Sequence, residues 1–362
     1  MGIKNLSQFL KKYEVRETLH ISNLKYTRVG IDTPMFLYKF KSTSNPNSYE
    51  WLGQFINLIS FLRKNDIHPV FLFEGQAPKE KIPAQEERRL QRQKLVSKTD
   101  SIEQDLQDYI STGKISPLLL EIWEKNKNGG LLAKKTLAKT IMIDIGTIKA
   151  EIDKRRRYEI TITSEDISDL KKLFKLMSVS YIQSKGEAET DCVSLYCNNT
   201  IDYIVAEDTD VLAYHSPNNN LENLKVIIDF DVYNQTYIQI DKQKVLDTLN
   251  LTSESFRDFC IMCGTDYNKN IFRIGTETSY KLIVKHHRIE NIPLNTDILN
   301  HKRGREIFTA TENHELNEYV KWCRIPSDSF KDDLENFIFT YNLKNIKTVK
   351  IYEALSEAEI DF

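Results

Sequence analysis

The sequence predicts an α/β fold, a mostly parallel twisted sheet flanked by helices, and three observations predict it. Apolar runs suited to buried strands recur and end on acids, as in RVGID, PVFLFEG and YIVAEDTD. Stretches of helical pattern separate these runs, which is the alternation that builds parallel sheets. The chain has 362 residues, 40% of them hydrophobic and 28% charged, so a large core is available. No apolar run approaches the roughly 18 residues of a membrane span. The start, MGIKNLSQFLKKY, lacks the apolar core and cleavage site of a secretory signal.

Residues 3–20 read as a short helix, ahead of the strand ending at Asp32. A helix around 51–65 leads to a strand at 68–74. From 79 to 157 the composition turns charged, with breaks at Gly113, Pro117 and Gly129-Gly130. The pattern there is helical but apolar positions are sparse, so the stretch reads as an excursion from the core. Regular order resumes with helix 165–177, strand 179–183, helix 187–197 and strands 202–207 and 225–230. The tract SPNNNLENL, 216–224, is a polar loop between strands. Helices are expected at 241–250, 253–263 and 276–287, with a turn-rich segment at 264–275. The remainder is mostly helical, with a Pro-containing break at 325–329. One domain over 1–345 and a short tail over 346–362 are expected.

Seven carboxylates sit where they can converge: Asp32, Glu74, Glu187, Glu189, Asp208, Asp210 and Asp266. In a parallel sheet the C-terminal strand ends share one edge, where ligands bind. Carboxylates crowded there cannot all stay ionised without cations. An all-oxygen set suits Mg²⁺ or Mn²⁺, and its size suggests two metals and phosphodiester chemistry. Glu187 and Glu189 open a helix two residues apart, so they diverge by about 200° on an ideal helix. Both reach one site only if it lies off the helix N-terminus. Taken singly, acids in a first helical turn or an Asp-x-Asp turn are commonplace. Lys81 and Arg88, seven apart, share a helical face just beyond Glu74, where they could hold a scissile phosphate.

The five cysteines, Cys192, Cys197, Cys260, Cys263 and Cys323, are an odd count, consistent with free thiols. The single Cys260-x-x-Cys263 pair cannot close a four-ligand zinc site and reads as a buried helical turn. Net charge is −2, yet cations cluster: residues 79–98 hold seven Lys or Arg against three acids, and 125–157 hold ten against three. Residues 269–288 hold five against one. Basic surface around an acidic centre fits a polyanionic substrate.

The motifs in order resemble the flap endonuclease family of structure-specific 5′-nucleases, over nearly the whole chain. MGIKNLSQFL resembles that family's start and VGIDTPMFLY its first metal-binding strand. PVFLFEGQAPKEK resembles its Phe-Asp-Gly segment, and QSKGEAETDC and VAEDTDVLAY its two acidic motifs. CIMCGTDYNKNIFRIG resembles the segment that leads into a helix–two-turn–helix, and KWCRIPSDSFKDDLENFI the last shared segment.

The resemblance implies that Asp32, Glu74, Glu187 and Glu189 hold one Mg²⁺, with Mn²⁺ as a substitute. Glu189, Asp208 and Asp210 would hold a second, supported by Asp266. Lys81 and Arg88 would steady the scissile phosphate, and Tyr38 would stack on a base. DNA contacts would come from Gly2, from Arg89, Arg92, Arg155, Arg156 and Arg157 in a helical arch over 79–157, and from Arg273, Gly275 and Lys281 in a helix–two-turn–helix over 255–300. One K⁺ is implied near that element. The run Lys154-Arg155-Arg156-Arg157 also has the composition of a nuclear-import signal.

Three departures stand out. Glu74 replaces the family's Asp, shifting the carboxylate by about 1.5 Å. Arg273-Ile274-Gly275 replaces Gly-Ile-Gly. The chain ends at Phe362 without a clamp-binding Gln-x-x-hydrophobic-x-x-aromatic-aromatic tail, so sliding-clamp recruitment is not expected. The expected function is a 5′-flap endonuclease with 5′→3′ exonuclease activity, acting as a monomer on branched or flapped DNA. The alternatives are a junction-resolving or purely exonucleolytic relative, and a DNA-binding protein weakened in catalysis at Glu74. The expected location is intracellular, in a nucleus or at a viral replication site.

Overall fold

The computed structural model describes residues 2–45, 48–127, 143–217, 221–322, 328–344, 346 and 348–356. The Gly129-Gly130 break, Cys323 and most of the break expected at 325–329 lie outside them. The chain opens with α1 (Leu6–Lys12) and β1 (Arg16–His20), then β2 (Thr27–Asp32), α2 (Thr33–Thr43), α3 (Glu50–Lys64) and β3 (Ile67–Phe73). The excursion holds α4 (Ile82–Thr112), α5 (Pro117–Lys127) and α6 (Ile145–Arg156). The alternation resumes with α7 (Ser164–Leu176), β4 (Ser180–Gln183), α8 (Ala188–Cys197), β5 (Tyr203–Val205), β6 (Lys225–Asp231) and β7 (Thr236–Asp241). Helices complete it: α9 (Lys242–Leu249), α10 (Ser253–Cys263), α11 (Thr276–His286), α12 (His301–Ile307), α13 (Phe330–Thr340) and α14 (Thr348–Ser356).

One sheet runs in the order β1-β7-β6-β5-β2-β3-β4. The stretch from β6 to β4 is parallel, while β7 lies antiparallel to both β6 and β1. Alternation of side chains sorts the two faces. Val70 and Leu72 of β3 join a cluster with α1, α8, α9 and α10, whereas Phe71 and Phe73 join α2, α3 and α7. Every residue of β3 is buried, as expected for a strand covered on both faces. From β2 the chain steps one way to β3 and β4, and the other way to β5 and β6. The crevice between β2 and β5 is therefore a topological switch point.

Two sequence expectations need correction. The helix expected over 3–20 stops at Lys12, and Arg16–His20 is an edge strand paired with β7. Leu6, Phe9 and Leu10 bury one face of the short helix, but RETLH has no apolar face to continue it. No strand was expected at 236–241, where β7 forms. The excursion also has a core of its own. Ile102 and Leu106 of α4, Leu119 and Ile122 of α5, and Ile148 and Ile152 of α6 form a third hydrophobic cluster. The apolar positions are sparse because three helices share one small core. Residues 348–356, expected in a tail, form α14, whose Ile351 and Ala354 are buried; Ile351 joins the cluster containing α3.

Candidate active site

Asp32 caps α2 from the end of β2, and Glu74 follows the last residue of β3. Glu187 is the N-cap of α8, with extended backbone (φ −72°, ψ 134°), and Glu189 lies in the first turn. The cap position resolves the divergence expected of a Glu-x-Glu pair, because Glu187 stands outside the helix. Asp208 and Asp210 flank the start of a 3₁₀ turn, Thr209–Ala213, beyond β5. Since β5, β2, β3 and β4 are parallel and adjacent, these acids gather at one edge around the switch point.

Backbone contacts set the positions. Gly75 N–H donates to Gly186 O at 2.7 Å and Gln76 N–H to Lys185 O at 3.0 Å, tying the end of β3 to the approach of α8. A Cβ on Gly75 would lie 2.2 Å from Ser184 O, so this crossing requires glycine. Glu74 Oε2 accepts from Ala188 N–H at 3.0 Å. Thr190 and Tyr214 hydroxyls meet at 2.7 Å, joining α8 to the residues that follow Asp210. From the chain start, Ile3 N–H donates to Asp210 Oδ1 at 2.5 Å. Gly2 lies at φ +81°, and a Cβ there would fall 2.1 Å from Asp208 Oδ1 and 2.2 Å from Asp210 Oδ1.

The charge balance is strongly negative. Burial first, then the carboxylates of Glu74 and Asp208, push Asp32 up to about 8. Burial, followed by hydrogen bonding and repulsion with Glu74, pushes Glu187 up to about 7. Burial and neighbouring acids hold Glu189 and Asp210 well above the usual carboxylate range, and Asp208 is raised. Two cations from the foot of the excursion answer this charge. Lys81 bonds Glu187 and lies 3.5 Å from Glu74 Oε1, with its ammonium 6.0 Å from the ring centre of Tyr267. Burial alone would lower its pKa, but Glu187, Glu74 and Glu189 outweigh burial and raise it. Arg88 bonds Asp266, which follows α10.

The donor set fits divalent cations. The oxygens are hard, and Glu187 Oε1 and Asp208 Oδ1 are buried without a hydrogen-bond partner among the described residues. No three His, Cys, Asp or Glu side chains among the described residues are already arranged to hold one ion. Lys81, Arg88, the Ile3 N–H and the Ala188 N–H instead engage the acids. Ion binding would therefore require small side-chain rotations.

The other expected contact residues scatter. Tyr38 is half-buried on α2, and Arg89 pairs with Glu86 on α4, where Arg92 also lies. Arg155 pairs with Glu151 within α6, whereas Arg156 contacts Asp100 and Glu103 of α4 and Glu159, and so fastens α6 to α4. Arg157 follows α6. Arg273 and Lys281 are exposed, and Gly275 caps α11 with open space beside it. Sequence reasoning missed the bridging pair Thr190 and Tyr214 and the Ile3 N–H. The first lay within motifs chosen for their acids, and a backbone donor leaves no composition signal.

This is the arrangement of a nuclease. Residues 1–95 match the family model described as the XPG N-terminal domain, and residues 178–266 match the XPG I-region. The "Probable RAD2-like endonuclease 076L" of Invertebrate iridescent virus 3 is 50% identical over 377 residues, covering 100% of this chain and 99% of that protein. "Flap endonuclease 1" of Debaryomyces hansenii is 26% identical, covering 81% of this chain and 69% of that one. Among solved structures, flap endonuclease-1 from Methanococcus jannaschii aligns with a TM-score of 0.58 at 19% identity, covering 94% of this chain and 96% of that one. The chain belongs to the flap endonuclease family of structure-specific 5′-nucleases, which includes the RAD2-like endonucleases. No helix among the described residues is long and apolar enough to cross a membrane.

Proposed function

We propose that this protein is a 5′-flap endonuclease with 5′→3′ exonuclease activity that hydrolyses DNA with two divalent cations. The observation that carries the reading is the convergence of seven acids at the switch-point edge, with Lys81 and Arg88 reaching into them from the excursion. Asp32, Glu74, Glu187 and Glu189 would hold one Mg²⁺, and Glu189, Asp208 and Asp210 a second, with Asp266 behind. Such a pair supplies an activated water near neutral pH and stabilises the leaving 3′-oxygen.

The chain's own residues do the rest. With the acids committed to cations, Lys81 and Arg88 are released to the scissile phosphate, where they offset the charge that builds during hydrolysis. Tyr38 stacks on the adjacent base, a contact worth about 1–3 kcal/mol. The 5′ strand passes beneath α4, and the duplex lies on the segment from α10 to α11. One K⁺ near residues 268–275 is part of the same reading, as are monomeric action and, from the viral relatives, a viral replication site. The test is incubation of the protein with labelled flap, nicked and single-stranded DNA in Mg²⁺. Incision at the flap junction is expected, and a folded protein that leaves the flap intact would sink the proposal.

One observation favours a second reading. Glu74 Oε2 is already bound to Ala188 N–H and Oε1 lies near Lys81, so the longer arm is used within the protein. A weakened catalyst that binds flaps without cutting them in Mn²⁺, and that recovers cutting as Glu74→Asp, would establish this reading instead.

A further inference from the structure

A single 3₁₀ turn, Lys79–Lys81, carries Lys81 to the acids before the chain enters α4. None of its three residues is buried, so packing does not seat it. Side-chain bonds do. Among the described residues, three side chains of residues 79–98 bond outside the excursion: Lys81 to Glu187 and Glu74, Arg88 to Asp266, and Glu80 to Arg303. Arg303 Nε donates to Glu80 Oε1 at 2.8 Å. The arginine stands on a fixed platform. Its helix, α12, is docked on α10 by Arg305, whose Nε donates to Oδ1 of the buried Asp258 at 2.7 Å. Gly304 between them approaches so closely that a Cβ there would lie 3.2 Å from Ile261 Cδ1 of α10. Glu306 steadies the guanidinium from within α12, accepting from Arg303 Nη1 at 2.9 Å.

We propose that Glu80 and Arg303 are positioning residues, a latch that keeps the foot of α4 seated while Lys81 and Arg88 serve the phosphate, resting on the reading of this chain as a two-cation nuclease. In that reading Lys81 and Arg88 leave the acids, so two of the three tethers are given up as the reaction begins. The Glu80–Arg303 pair touches none of the seven acids and is the tether that stays. Lys81 follows Glu80 directly, so slack in the turn reaches its ammonium, and displacement of a charged group by about 1 Å costs rate.

The experiment compares full-length wild type, Glu80→Gln, Arg303→Gln and the exchanged pair Glu80→Arg with Arg303→Glu. The first readout is single-turnover cutting of a labelled flap in Mg²⁺, with protein in excess. One single variant loses a negative charge and the other a positive one, so a purely electrostatic effect on DNA would move them in opposite directions. The latch lowers both rates, by about two- to fivefold for a pair this exposed, and the exchange recovers most of the loss. The second readout needs no DNA. Tryptic cleavage after Lys79 and Lys81 reports the seating of the foot. In Mg²⁺ both single variants are expected to be cleaved there about two- to fivefold faster than wild type. In EDTA, where Lys81 and Arg88 still hold the acids, the difference shrinks. Unchanged cutting in either single variant, changes of opposite sign, no recovery on exchange, or wild-type tryptic cleavage in Mg²⁺ overturns the proposal. A folded wild-type protein that leaves the flap intact overturns the nuclease reading instead, so the two failures are distinct.

Discussion

Gly2 is the residue at which the chain start and the acidic centre depend on each other most directly. Alanine there would carry a left-handed backbone costing about 1–2 kcal/mol and would drive its Cβ into Asp208 and Asp210. Gly2→Ala is therefore expected to lift the chain start away and free Asp210 from the Ile3 N–H. The readouts are a lower melting temperature and slower cutting. Asp208→Asn tests the centre itself. It keeps the shape but removes a charge, so cutting should fall by more than the about 10- to 100-fold typical of residues that only support metal ligands. Flap affinity measured without metal should be unchanged or higher, because one repulsive charge is gone. Retained turnover in this variant would show that the site is misassigned.

At the scale of elements, the excursion is fastened by Arg156, whose guanidinium reaches Asp100 and Glu103 on α4 and Glu159 after α6. The contacts to Asp100 and Glu103 are half-exposed and each worth about 0.2–1 kcal/mol, that to Glu159 is more buried, and all three share one side chain. Arg156→Met should loosen the excursion first. Limited proteolysis should then cut within residues 100–157 while the melting of the sheet domain holds. The central strands β2, β3 and β5 were legible because they are apolar runs ending in acids. The antiparallel strands β1 and β7 were not: RETLH and TYIQID each bury only part of their surface, so polar residues interrupt the pattern. The excursion's core was hidden for a related reason, since α4 contributes only Ile102 and Leu106 to it along with one half-buried tyrosine. The seven acids were legible because a carboxylate after a buried strand is conspicuous. Gly2 was expected to touch DNA, and its close approach to Asp208 could not be read across 200 residues of chain.

Across the whole molecule, the crowded acids make stability depend on pH. Asp32 and Glu187 have folded-state pKa values near 8 and 7, above those of the unfolded chain. A raised carboxyl favours folding while protonated, and that contribution is lost as pH rises through the folded pKa. Metal-free protein should thus melt at lower temperature at about pH 9 than at about pH 6. Mg²⁺ or Mn²⁺ binds the deprotonated form, so saturating metal should flatten or reverse the trend. Scanning calorimetry with and without metal checks this, and a metal-free melting temperature that rises over the same window would contradict it.

The 31-residue α4 runs from the acidic centre to the third hydrophobic cluster, and at 1.5 Å per residue it is about 46 Å long. Its near end carries Arg88 just beyond Lys81, and its far end belongs to the small three-helix head. Its geometry is that of a lever: a tilt of a few degrees would move the head by several ångströms and the two cations by only a fraction of one. Under the proposed function, that geometry would let the head adjust to the strand beneath it while the cations keep their station above the acids.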